Sequence, residues 1–165
     1  MCVLMGAGSD VVIREAREED LDAVIGINMT TLREHYPEYF WKDHIRLWGK
    51  AFLVAEVGGS IVGYVMSRVE RRLGFVRVSF PKMVGHIVSI AVLPGFRRRG
   101  IGTRLMVEVM DRLKNFYGAK EVYLEVRVSN EAAISMYEKL GFRKVRRIRF
   151  YYLDGEDAWL MAREL

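Results

Sequence analysis

Apolar positions along this 165-residue chain follow two rhythms, and their alternation sets the order of elements to expect. Val11-Val12-Ile13 is a β-branched run that predicts a strand. Arg17-Glu18-Glu19-Asp20 then places acids where a helix N-terminus favours negative charge, and Leu21, Val24, Ile25, Ile27 and Met29 follow near helical spacing. Pro37 predicts the start of a second, short helix carrying Tyr39, Phe40, Ile45 and Trp48, with Gly49 as its stop. Two apolar runs, Ala51 to Val57 and Ile61 to Met66, flank Gly58-Gly59-Ser60. That punctuation predicts an antiparallel hairpin, because tight hairpin turns need positive φ.

Residues 68 to 83 mix arginines with Phe75, Phe80 and Pro81 and read as a long, partly ordered connection. A strand from His86 to Val92 leads into the loop Leu93 to Gly100. A helix from about Gly102 to Tyr117 sets Leu105, Val109 and Leu113 on one face, and Gly118 stops it. Val122 to Val126 reads as a strand and Glu131 to Leu140 as a helix ended by Gly141. Arg143 to Leu153 and Ala158 to Met161 are expected to form a closing hairpin, turned at Asp154-Gly155. The order is β-α-α-β-β-β-α-β-α-β-β, an α/β chain with a mixed α+β sheet. Its central strand-helix-strand implies a parallel pair, and both ends look antiparallel.

Composition bounds the picture. With 51% hydrophobic residues, the chain can bury a sizeable core, and a single domain over 11–165 behind a flexible tail at 1–10 is expected. That tail lacks a basic leader, and no apolar run approaches the roughly 18 residues of a membrane span. A cytoplasmic protein with neither membrane nor DNA as partner is therefore expected. Cys2 is the only cysteine, which excludes an internal disulfide. Glutamine is absent and asparagine occurs three times, a bias shared by thermophilic proteins. The formal charge of +5 favours a phosphate-bearing cofactor, an acidic peptide or ribosomal RNA.

The chemistry concentrates in Val88 to Leu105, a strand, a basic glycine-bearing loop and a helix start. Gly100 and Gly102 permit close backbone approach, and the free amides of the helix's first turn would then point at a bound anion. A solvated basic loop is the alternative. The glycine spacing fits neither a dinucleotide fingerprint nor a Walker loop.

Arg97-Arg98-Arg99-Gly100-Ile101-Gly102 resembles the Arg/Gln-x-x-Gly-x-Gly/Ala motif of the GNAT N-acetyltransferases. The resemblance runs from Val11 to Leu165 and narrows at four segments. Leu32 to Pro37, Gly85 to Val92, Tyr123 to Asn130 and Tyr151 to Ala158 are similar to the archaeal protein N-terminal α-acetyltransferases. Arg33, His35 and Arg71-Arg72 depart from that pattern, so substrate preference does not carry over.

The resemblance implies acetyl-CoA as cosubstrate and protein N-termini as acceptors, and it leaves ribosome association open. Ile90, Ala91 and Val92 would offer backbone groups to the pantetheine arm. Arg97, Arg98, Arg99, Gly100, Ile101, Gly102 and Thr103 would hold the diphosphate, while Asn130 and Tyr137 would line the sulfur end. Glu34, Tyr36 and Tyr152 would grip the peptide, with Glu34 near its amino end and counted also among the catalytic candidates.

Acyl transfer to an amine needs a base, and His86 with Glu125 is the candidate pair, acting through an ordered water between them. In an ideal strand His86 shares a face with Val88 and Ile90, and Glu125 shares one with Tyr123 and Arg127. A satisfied strand histidine and a paired glutamate is the bland reading of the same residues. Two such ligands fall short of a metal site. Tyr137 is the candidate acid for the departing thiolate, and equally a core aromatic. Arg143 to Arg149 reads as a solvated edge strand, with docking to ribosomal RNA as the alternative. Two rival functions stay open: acetylation of lysine side chains or small amines, and a non-catalytic RNA-binding module.

Overall fold

The computed structural model describes residues 10–165, so the N-terminal tail with Cys2 lies almost entirely outside the described residues. Strands β1 (Val11–Glu15), β2 (Phe52–Val57), β3 (Ser60–Leu73), β4 (Pro81–Val92), β5 (Glu121–Arg127), β6 (Arg143–Ile148) and β7 (Ala158–Glu164) form one sheet. Helices α1 (Leu21–Thr31), α2 (Glu38–Trp48), α3 (Ile101–Asn115) and α4 (Glu131–Lys139) pack on it. The order along the chain is the one the patterning predicts. In space the strands run β1-β2-β3-β4-β5-β7-β6. Every neighbouring pair is antiparallel except β4 and β5, which are parallel across the α3 connection.

β2 shows why a continuous apolar run was needed. Its odd and even residues bury on opposite faces, Leu53 and Ala55 under α3 and α4, Phe52 and Val54 under α1 and α2. α3 contributes Leu105, Val109 and Leu113, all fully buried, to the first layer. Leu21, Val24, Ile27 and Trp41 make the second. Each such side chain contributes about 1.5 to 3 kcal/mol on leaving water. Gly58 and Gly59, both at positive φ, turn the β2–β3 hairpin.

Two expectations are corrected. Residues 68 to 83 are mostly strand: β3 continues to Leu73 and β4 begins at Pro81, with cross-strand partners as far as Leu73↔Pro81. The arm projects past the buried layers, so its side chains are charged although its backbone ladder is complete. The turn between is fastened by Glu121, whose buried carboxylate accepts the amides of Phe75, Val76 and Arg77. Conversely, the final hairpin is shorter than predicted. β6 ends at Ile148, Phe150 adopts φ 53°, and Asp157 accepts both the Phe150 amide and the Arg147 guanidinium. Residues 149–157 thus form a loop, with Gly155 turning it inside. β6 is the sheet's outer strand and largely exposed, which accounts for its run of cations.

Candidate active site

β4 and β5 pair over three residues each, Val84–His86 against Glu121–Tyr123. Beyond that point a cleft of about 720 Å³ opens between them. Ile87 to Ile90 line one wall and Leu124 to Arg127 the other. The loop after α1 brings Glu34 and Tyr36 to its mouth, and the loop before β7 brings Tyr151 and Tyr152.

A bulge prepares this opening. The β3–β4 register passes from Met66↔Ser89 to Ser67↔Ile87, leaving Val88 as an extra residue on β4. Ile87 and Ile90 therefore pack together toward α3 and α4, whereas Val88 and Ala91 pack toward α1 and α2. The expected common face of His86, Val88 and Ile90 is broken here: the extra residue shifts the two-residue alternation. The Tyr36 hydroxyl donates to the Val88 carbonyl at 3.3 Å, and its ring stacks on Phe40 at 4.7 Å. Buried Asn28 donates to both the Glu34 carbonyl and the Tyr64 hydroxyl, tying the α1–α2 loop to the sheet.

His86 is the last β4 residue in the ladder, and its Nε2 meets Glu125 Oε2 at 2.8 Å. The expectation of an ordered water between them is corrected, because the strands have not yet separated enough to admit one. Glu125 lines the cleft, while His86 sits behind it and stacks on Tyr123 at 4.2 Å. Burial disfavours the charged ring, but the Glu125 and Glu70 carboxylates outweigh it and hold the His86 pKa above its ordinary 6.5.

Glu70 was not singled out from the sequence. Its Oε2 lies 3.5 Å from His86 Nδ1, an ion-pair distance, although Nδ1 makes no formal hydrogen bond. His86 pulls the Glu70 carboxyl far below the usual carboxylate range against the cost of burial, helped by Tyr123 and Arg68. The alternation of Arg68, Glu70 and Arg72 was the available signal, hidden inside a stretch read as connection.

Arg127 was also missed as a centre. Its guanidinium binds Glu34 from one loop and Asp154 and Glu156 from the other, and it lies 4.0 Å from the Tyr152 ring centre. Glu34 thus faces the cleft with its charge already paired. Tyr137 is buried in the core, and it also lines the cleft. Among the described residues its hydroxyl makes no hydrogen bond, and burial raises its pKa well above a free phenol's, keeping the proton on oxygen. Asn130 lines the cleft too, with its Oδ1 capping α4 at the Ala133 amide, 3.2 Å away.

Where β4 ends, a single 3-10 turn at Pro94–Phe96 leads into α3. Gly100 at φ 76° is the α3 N-cap, without a side-chain cap, and a Cβ there would enter open space. Among the described residues the amides of 98 to 103 have no acceptor, the first α3 bond being Arg104 to Gly100. This is a row of unpaired donors at a positive helix end, suited to a phosphate group. Arg97 does not belong to the row: its amide bonds the Pro94 carbonyl and its Nε the Val92 carbonyl at 2.9 Å. Those bonds fold the exposed Arg97 side chain back onto the end of β4 and occupy the Val92 carbonyl. Of the three strand residues expected to meet the pantetheine, Ile90 lines the cleft, while Ala91 and Val92 continue the strand beyond its lining. Gly102 lies against Met136 of α4, the residue before Tyr137 of the cleft lining.

The pattern of the Acetyltransferase (GNAT) family matches residues 14–142. An "N-alpha-acetyltransferase" of Saccharolobus solfataricus is 52% identical over 161 residues, spanning 96% of this chain and 95% of the relative. The crystal structure of Ard1 from Thermoplasma volcanium superposes with a TM-score of 0.81 at 32% identity, covering 94% of this chain and 97% of that one. Arabidopsis thaliana Naa50, solved with a bisubstrate analogue joining CoA, acetyl and the peptide MVNAL, gives 0.80 at 25% identity, covering 94% and 99%.

Proposed function

The chain belongs to the GNAT acetyltransferase family, and on that premise we propose that it moves the acetyl group of acetyl-CoA onto the α-amino group that begins a protein. The observation that carries the reading is the cleft between the parted β4 and β5. It has a carboxylate on its wall and two loops at its mouth, and Tyr137 of its lining follows Met136, against which Gly102 of the unpaired amide row packs. The 52% identical relative is named for this activity, and the Naa50 analogue joins the same two substrates.

Acetyl-CoA supplies an activated acyl group. The residues present fit it: donors at 98 to 103 suit a diphosphate, and the open edge of β4 at Ile90 suits an extended amide-bearing arm. Tyr137 keeps its proton and can donate a hydrogen bond to the departing sulfur. At the other end, Tyr36, Tyr151 and Tyr152 give flat walls for a peptide strand. The α-amino pKa of about 7.7 to 8.0 asks little of a base near neutrality, whereas a lysine at about 10.4 would ask much more. Glu125 on the cleft wall, backed by His86, accepts that proton in this reading, and no covalent enzyme intermediate is required.

The test compares initial rates on matched peptides with free and blocked N-termini, reading the acetylated position by mass spectrometry. Acetyl groups confined to free α-amines support the proposal. Transfer that survives blocking and requires an internal lysine overturns it.

A further inference from the structure

The polar chain behind Glu125 continues past His86. The ring has Glu125 at Nε2, 2.8 Å away, and Glu70 at Nδ1, 3.5 Å away, so two carboxylates approach its two nitrogens from different strands. Glu125 lines the cleft and Glu70 does not; the Glu70 side chain is 23% exposed to solvent outside it. Glu70 is itself fixed. Tyr123 donates to its Oε1 at 2.5 Å, Arg68 donates to its Oε2 at 2.9 Å, and Arg72 stands 3.6 Å off. The Tyr123 ring that fixes Glu70 is the ring on which His86 stacks. The remaining charged or titratable groups in this neighbourhood are His44 on α2, which burial keeps neutral, and Tyr151 at the cleft mouth.

The reaction creates a need for such a chain. An ammonium substrate carries three protons on nitrogen and the amide product one. The new C–N bond forms as the C–S bond breaks, and two protons leave nitrogen. One ends on the departing sulfur and the other must reach bulk water. In a cleft filled by two substrates, that second proton needs a route.

We infer that Glu70 is a positioning residue for this transfer: it fixes His86 from behind and forms the outer end of a Glu125–His86–Glu70 relay that carries the amine's proton out of the cleft. Glu125 takes the proton from the amine and passes it to His86 Nε2. The ring releases its Nδ1 proton toward Glu70, and that partly exposed carboxylate delivers it to water. Imidazole suits the middle place because it can gain a proton at one nitrogen while losing one at the other. The inference rests on the proposed acetyl transfer with Glu125 and His86 as base.

The experiment measures kcat, both KM values and the pH profile for Glu70→Gln and Glu70→Asp, with His86→Ala and Glu125→Gln as references and thermal melts to verify folding. Glu70→Gln should lower kcat about tenfold, less than the 10² to 10⁴ typical of a direct acid-base group, with both KM values within about twofold. Its ascending pH limb should move to lower pH, since the ring loses one stabilising carboxylate. Glu70→Asp should restore most of the rate and return the limb toward its parent position, and should it alone fold, the limb's position decides. Unchanged kcat and pH limb in the Glu70 variants, alongside slow Glu125→Gln and His86→Ala, would overturn the relay while leaving the base intact. Full activity in both references would overturn the base and the relay with it.

Discussion

His86 and Glu125 close a 2.8 Å hydrogen bond at the point where the β4–β5 ladder stops, with His86 on the last paired position and Glu125 two residues past its partner Tyr123. The contact staples the strands just before they part, and it sets the Glu125 carboxylate on the cleft wall.

The pair yields the first prediction. Glu125→Gln and His86→Ala should each slow turnover by about 10² to 10⁴ with acetyl-CoA affinity nearly unchanged, because neither touches the amide row of the α3 N-terminus. A histidine whose pKa is raised stays protonated to higher pH, so it accepts a proton only above that value. kcat/KM should therefore rise with pH along a limb centred above 6.5. The same raised pKa contributes stability that is complete below the unfolded value and is lost as pH climbs through the folded one. Steady-state rates and denaturation midpoints across pH 5 to 9 check both signs.

Arg127 links the two loops at the cleft mouth through Glu34, Asp154 and Glu156. Arg127→Ala should leave three carboxylates facing one another and loosen both loops. Peptide KM should rise about tenfold while acetyl-CoA affinity holds, and added salt should affect the parent more than the variant. A kinetic titration of each substrate separates these effects.

Gly100 occupies the left-handed region at φ 76° and heads the unpaired amides. Gly100→Val should strain the loop by about 1 to 2 kcal/mol, since a β-branched residue resists that conformation. Acetyl-CoA affinity should fall at least tenfold with little loss of core stability, as calorimetry and thermal melts would record.

Glu121 fastens the turn of the β3–β4 arm through three amides. Glu121→Ala should destabilise the fold by about 2 kcal/mol, because three charge-assisted bonds to part-buried amides are lost. Urea unfolding with an unchanged slope would show this as a lower midpoint.

What could be read from the residues is what short-range physics controls. Apolar period, β-branched runs and glycine stops act over a few residues, and they determined the order of the eleven strands and helices and the split between parallel and antiparallel pairs. The amide row at 98 to 103 was legible for the same reason, since a strand, a glycine loop and a helix start are contiguous. Arg97, by contrast, belonged to the motif but is folded back onto the Val92 carbonyl, a bond the spacing does not reveal.

The tertiary structure decided everything that depends on residues distant in sequence. The charged arm of β3 is a strand because β4 completes its ladder, and Glu70 reaches His86 only across that pairing. The β4 bulge moved Ile90 off the face of Val88, and the end of the β4–β5 ladder put His86 and Glu125 in direct contact. Arg127 became a centre when two loops about 120 positions apart met over it. Local preferences act over one turn of chain, whereas a register shift, a parting pair of strands or a shared cation exists only after the sheet has assembled.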